Sequence, residues 1–398
     1  MRLTRWLVSA LQYAGLASLG LVLALAGGEL MLRVYNPFES RVKGYAIELP
    51  VNQRYVIKNL DDDKLDSTII HTTNSLGFRG PEPPPTPSSV LTVMTIGGST
   101  TECFYLSDGH TWTDVLGRDL ARTFRPVWVE NAGLDGQSTF GHLVLLDSIV
   151  HMRAKPKVAI FLIGVNDIGH DAPTAEDTTL YRRYSVRRFA RRLAEHSELL
   201  ALGVNAYRSI EARRSGLVQG LGWSVKNLQV DLHRSEHEPM RSAERTMLLA
   251  ENRARYIPAY EARVRALVQR SRANGIEPIL VTQPLLIGPI TDDVTGVDLA
   301  TVRWGKGNGA EMWDVMELYN DVVRRVGEED RVFVVDLARQ MPKSSRYFYD
   351  YVHYTNAGAE RVGDIIYGDI CAFLSAQYPM YRTSACTALR SSAVAAVK

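Results

Sequence analysis

The stretch "VLTVMTIGGSTTEC", Val90 to Cys103, decides the fold. A run rich in apolar and β-branched residues, Val90 to Ile96, halts at Gly97-Gly98, and Ser99 stands just beyond. Such a run fits a strand covered on both faces. Two glycines at its end allow the chain to bend sharply. Ser99 then has two readings. It caps the next helix, or the bend holds its hydroxyl free as a nucleophile.

Working outward, four more runs of the same kind follow: "VWVEN" (127–131), "VAIFLIG" (158–164), "PILVTQ" (278–283) and "VFVVDL" (332–337). Amphipathic stretches alternate with them, for example Trp112 to Phe124, Ala259 to Ala273 and Met312 to Val326. Alternation of this sort predicts a five-stranded parallel sheet with helices on both faces, an α/β three-layer sandwich. In such sheets the site forms beyond the carboxyl ends of the strands. The residues found there are Gly97-Gly98-Ser99-Thr100, Asn131-Ala132-Gly133, Gly164-Val165-Asn166-Asp167 and Gln283-Pro284. Past the fifth strand comes "YFYDYVHYTNAGAE", with Asp350 and His353.

Composition excludes little beyond the extremes. The 398 residues are 45% hydrophobic and 23% charged, ordinary for a globular protein. A net charge of +2 gives no field that would draw nucleic acid. At the N-terminus, Arg2 and Arg5 precede Trp6 to Gly28, a stretch without charge and long enough to cross a bilayer. The arginines favour a cytoplasmic residue 1–5 segment and place the rest outside. A cleaved secretory signal competes, because Ala24-Leu25-Ala26 fits a small-x-small cleavage pattern. Either way the main domain is exported, and Cys371 is then free to bridge Cys386. The alternative is that both, like Cys103, are free and buried.

Residues 29–88 read as a connection, ending in the extended, stiff "PEPPPTP" (81–87). An insertion of helical character spans about 176–275. It carries arginine pairs at 182–183, 187–188, 191–192 and 213–214, read as a solvated face rather than a lipid- or glycan-binding patch. The connection 285–310, with Gly288, Gly305, Gly307 and Gly309, is long enough to be a functional lid or a disordered loop. Residues 379–398 form a tail.

Serine in the first block, glycine in the second, asparagine in the third and Asp-x-x-His near the C-terminus resemble the SGNH, or GDSL-like, hydrolase family. The resemblance covers about residues 89 to 378. "NSLGFRG" (74–80) and "YNDVVRRV" also resemble membrane-anchored bacterial members. It implies a flavodoxin-like sheet, a single-pass inner-membrane protein with its domain in the periplasm or outside, and small acyl groups on cell-envelope carbohydrate as substrates. One departure stands out: the family's Gly-Asp-Ser is Gly97-Gly98-Ser99 here, without the aspartate.

The chemistry follows from the residue types. Serine needs a base, and His353 is the candidate, with Asp350 fixing its tautomer. The oxyanion needs donors, and the N–H groups of Ser99 and Gly133 and the Asn166 amide are expected to supply them. Asp167 is expected to hold the Asn166 loop. Each block alone is a cap or a turn; four in order point to a serine esterase. An O-acyltransferase uses the same residues, and a non-catalytic glycan-binding module could share the fold. Neither a cofactor nor a metal is expected. His233 and His237 stand at i, i+4 but without the H-E-x-x-H frame, and His142 and His151 have no partner set. Cys103 lacks a basic sequence neighbour and reads as a packing residue.

Overall fold

The computed structural model describes residues 2–34, 42–43, 46–47, 49, 52–60, 63–150, 152–174, 177, 193, 197–203, 206, 224–225, 228–239 and 242–386. The arginine pairs at 182–183, 187–188, 191–192 and 213–214 lie outside these residues, as do 387–398 of the tail.

Five strands form one parallel sheet: β1 Leu91–Gly97, β2 Val127–Gly133, β3 Val158–Leu162, β4 Glu277–Val281 and β5 Phe333–Val335. The order across the sheet is β5-β4-β3-β1-β2. Every residue of β1 and of β3 is buried, as expected of strands covered on both faces. Thr95, inside β1, satisfies its hydroxyl on Thr113, 2.8 Å away. Glu130 of β2 is buried, and desolvation holds its pKa well above the ordinary carboxyl value.

Around the sheet run α2 Trp112–Thr123, α3 Thr139–Ile149, α4 Ile257–Ala273, α5 Gly309–Glu329 and α6 Asn356–Gln377. Helix α2 packs on α6, and α3 packs on α4, which packs on α5, giving one helical layer on each face. Each start has a local cause. Thr111 and Asp114 make a capping box before α2, Asn308 and Glu311 another before α5, and Thr355 accepts from the Gly358 N–H to open α6.

The strand order positions the site. From β1 the chain steps outward to β2, then crosses back to β3 on the other side of β1. Connections leaving β1 and β3 therefore diverge, and a crevice opens above their carboxyl ends. Register brings those ends level: Gly97 pairs with Gly133 on one side and with Leu162 on the other.

Residues 52–80, read as connection, carry structure of their own. Arg54–Asn59 pairs antiparallel with Thr68–Thr72 and parallel with Ser224–Val225. From "NSLGFRG", the backbone of Arg79 bonds that of Asn131 in both directions, and the Asn74 amide donates to Glu130 Oε2 at 2.8 Å.

Helix α1, Arg2–Val34, extends past the expected end at Gly28. Its segment Gln12–Val34 spans 23 residues, about 35 Å of helix, and holds an 18-residue window with a mean hydropathy of 1.8. Leu16, Leu19, Val22, Leu23 and Leu25 are all exposed, so this is no core helix of the domain. At its lower end the Glu29 carboxylate accepts from the N–H groups of Glu198 and Leu199 at 3.0 and 3.2 Å, satisfying the first donors of a short helix there. Cys371 of α6 is bonded to Cys386, 15 residues on, which ties the tail to the last helix. Closing a loop of that length is worth about 3 kcal/mol in the chain-entropy view.

Candidate active site

Ser99 opens a single helical turn, Ser99–Glu102, directly after β1. Two groups fix that turn from below. The buried Arg79 guanidinium donates to the carbonyls of Glu102 (3.0 Å), Cys103 (2.6 Å) and Leu106 (2.8 Å), at and just past the end of the turn. Trp112 Nε1 donates to the Thr100 carbonyl at 3.0 Å. Cys103 ends the turn in the left-handed conformation, φ 51°. Burial pushes its thiol up to about 12, so it packs rather than reacts.

The fourth block folds back onto Ser99. His353 Nε2 lies 2.8 Å from Ser99 Oγ, and His353 Nδ1 lies 2.6 Å from Asp350 Oδ2. A carboxylate only accepts, so Nδ1 carries the proton and Nε2 is left to accept from the serine. Asp350 is itself held: its Oδ1 accepts from the N–H groups of Val352 (2.8 Å) and His353 (2.7 Å). The three-residue spacing thus makes one tight turn that orients both side chains. Tyr349 lies nearly parallel to the imidazole, 10° between planes and 5.6 Å between centroids, and limits its tilt.

Burial of His353 pushes its pKa down, but the charge of Asp350 and the hydrogen bond to it push it up, and the net direction is above the ordinary 6.5. A base must be neutral to act. The acid limb of kcat/KM is therefore expected above pH 6.5, with activity rising as pH rises through it. In Asp350→Asn the upward contribution is lost while burial stays, and the limb is expected to move to lower pH. A pH–rate profile of the two proteins checks this; a limb that does not move would separate Asp350 from the titrating group.

The third block brings Asn166 in. Its amide donates one hydrogen to the Gln137 carbonyl at 2.9 Å and lies against the backbone of residue 98. A Cβ on Gly98 would stand 2.3 Å from Asn166 Nδ2. A side chain at position 98 would have to displace the Asn166 amide, and glycine leaves it in place. Asp167 is buried and accepts from the Thr139 hydroxyl (2.5 Å) and from Arg263 Nη2 (3.1 Å). It ties the Asn166 turn to α3 and α4, the supporting place expected of it.

Gly133 departs from its expected place. Its N–H donates to Asn131 Oδ1 at 2.9 Å and so is spent. It is glycine for another reason: a Cβ would stand 2.2 Å from the Glu102 nitrogen, because the Ser99 turn sits on it. Gly136, three residues on, takes the position by the serine. It has φ 70°, lines the same cavity as Ser99 and Asn166, and its N–H has no partner among the described residues. The signal in the sequence was a second glycine soon after β2, in a turn that needs positive φ. The Glu102 carboxylate fixes that turn by accepting from the Asp135 N–H at 2.6 Å.

These groups open into a cavity of about 730 Å³. The connection read as a lid forms part of its wall: Arg303–Trp304 and Gly307–Asn308 make a small hairpin that presents Trp304, Gly305 and Lys306. Another part comes from Ser242–Glu251 and the π-helical turn Asn252–Tyr256 that continues it into α4. Such turns in a long helix frequently sit at functional sites. Here the turn sets Asn252 and Tyr256 toward the cavity, with Asn252 Oδ1 accepting from Tyr319 at 3.0 Å. Among the described residues no cluster of three His, Cys, Asp or Glu side chains could hold a metal ion.

Residues 95–361 match the GDSL-like Lipase/Acylhydrolase family, and the chain belongs to that family. As an enzyme it is therefore an ester-bond hydrolase. Among solved structures it is similar to the acetylxylan esterase Axe2 from Geobacillus stearothermophilus. That pair is 16% identical over 70% of this chain and 94% of the other, with a TM-score of 0.38. It is also similar to LAE5, an alpha/beta hydrolase enzyme from the metagenome of Lake Arreo, Spain, at 15% identity over 71% of this chain and 94% of the other, TM-score 0.38. No curated protein matches the chain.

Proposed function

We propose that the protein is a serine esterase working through an acyl-enzyme, with Ser99 as nucleophile, His353 as base and Asp350 as its orienting carboxylate. The observation that carries this is the continuous chain of hydrogen bonds from Ser99 Oγ through the imidazole to Asp350. As Ser99 Oγ attacks the ester carbonyl, its proton passes to His353 Nε2. Asp350 steadies the imidazolium that results. The developing oxyanion is met by the N–H groups of Ser99 and Gly136 and by the second hydrogen of the Asn166 amide, none of which has another partner among the described residues. His353 then returns the proton to the leaving alcohol, which departs. Water activated by the same histidine releases the acid and restores Ser99.

An O-acyltransferase differs only in the acceptor. Turnover of p-nitrophenyl butanoate by the full-length protein in detergent, with and without an oligosaccharide, separates the two. Release of free acid at an unchanged rate is the expected result. Acyl-oligosaccharide as the main product would reassign the reaction to transfer, and no turnover at all would favour a binding module.

The chain is proposed to sit in a bacterial inner membrane through α1, with the domain on the outer side. Support comes from the length and exposure of the apolar segment. The Cys371–Cys386 bond adds to it, since such bonds persist in oxidising compartments. Full-length protein should stay with membranes through a high-salt wash, and protease added outside spheroplasts should digest the domain. A soluble mature form beginning near Gly27 would instead show a cleaved signal.

A further inference from the structure

The wall of the cavity around the Asn166 turn is apolar. Val165 and Ile168 flank Asn166 on its own turn, Met312 and Val315 face in from α5, and Leu248 closes from the helix before the π-helical turn. None of these five side chains offers a donor, and the Met312 sulfur is the one weak acceptor among them. A sugar pressed against them would leave its hydroxyls unpaired, which is costly in a dry site. Polar groups edge this patch, with His170 just past Ile168 and Glu251 and Asn252 just past Leu248, while Trp304, Lys306 and Tyr351 come from other segments of the wall, the last of them in the turn that carries His353. His353 protonates the leaving alcohol, so the alcohol belongs on the side of its turn, and the acyl chain belongs on the side of the oxyanion donors and Val165.

An acetyl group brings a single methyl to that wall. The cavity of about 730 Å³ equals roughly twenty-four waters at about 30 Å³ each. A methyl would cover little of Val165, Ile168 and Leu248, the half-buried members of that wall, and these gain only when hydrocarbon replaces the water. Resting on the esterase reading above, we infer that the substrate's acyl group is a medium-length alkyl chain, of about six to ten carbons, seated against Val165, Ile168, Leu248, Met312 and Val315, and not an acetyl group.

The test is a series of p-nitrophenyl esters, acetate through octanoate, with the full-length protein in detergent. Burying each methylene is expected to raise kcat/KM about two- to fourfold, on the order of 10²- to 10³-fold from acetate to octanoate. Met312→Trp and, at the half-buried rim, Leu248→Trp fill the space and are each expected to lower the octanoate-to-acetate ratio about tenfold. Two variants in different elements guard against one misfolding. An octanoate-to-acetate ratio of one or less, or a ratio that neither tryptophan changes, would overturn the chain-length assignment while leaving the esterase intact. Absence of turnover on every ester, together with no fluorophosphonate adduct on Ser99, would remove the esterase reading itself.

Discussion

Ser99→Ala is expected to lower kcat on p-nitrophenyl butanoate by on the order of 10⁴-fold or more, with His353→Ala nearly as severe. The two losses should not add. A serine without its base barely reacts, and a base without its serine has nothing to activate, so the double variant is expected to match the worse single one. Stability should change little in Ser99→Ala. Ser99 makes no cap: the residue before the turn is Gly98, and the turn is held by Arg79 and Trp112 instead. If Ser99 were only structural, its replacement would cost roughly 1 kcal/mol of stability and leave turnover alone. Steady-state rates and thermal unfolding of the three variants distinguish the cases.

Asn166→Ala is expected to lose on the order of 10² to 10³ in kcat, the usual cost of one missing oxyanion donor, with KM nearly unchanged. Gly98→Asp should do comparable damage, although it restores the residue the family usually carries. Its Cβ would fall 2.3 Å from Asn166 Nδ2 and 3.1 Å from the Gln137 carbonyl, so the amide must leave its place. A Gly98→Asp enzyme with full turnover would show that Asn166 does not act from where it stands. Gly133 offers the contrast. Its N–H is already bonded to Asn131, so the third donor proposed above is Gly136, whose φ of 70° resists any side chain.

The sheet was legible because its strands are short runs, wholly buried in β1 and β3 and largely so in β2 and β4, which leaves its mark in β-branched and apolar residues whatever the connections do. Ser99, Asp350 and His353 were legible for a different reason. Their residue types are chemically demanding, and each stands where a strand or its following turn delivers it to one end of the sheet. Gly133 misled because a local bond from Asn131, two residues back, takes its N–H; the residue types give no hint of that choice. Arg54–Asn59 alternates exposed and buried residues and could have been read as a strand. The proline-rich stretch that follows drew the whole region toward a connection. The cavity wall could not be read at all. Leu248, Met312 and Val352 are far apart in the chain, and only packing of α4 and α5 on the sheet brings their segments together.

Fluorophosphonate labelling of the full-length protein, followed by peptide mapping, tests the central claim most directly. A single adduct on the peptide containing Ser99 is expected, lost in Ser99→Ala and strongly slowed in His353→Ala. An adduct that persists in folded Ser99→Ala, or one mapped to another residue, would contradict the assignment of Ser99 as the nucleophile.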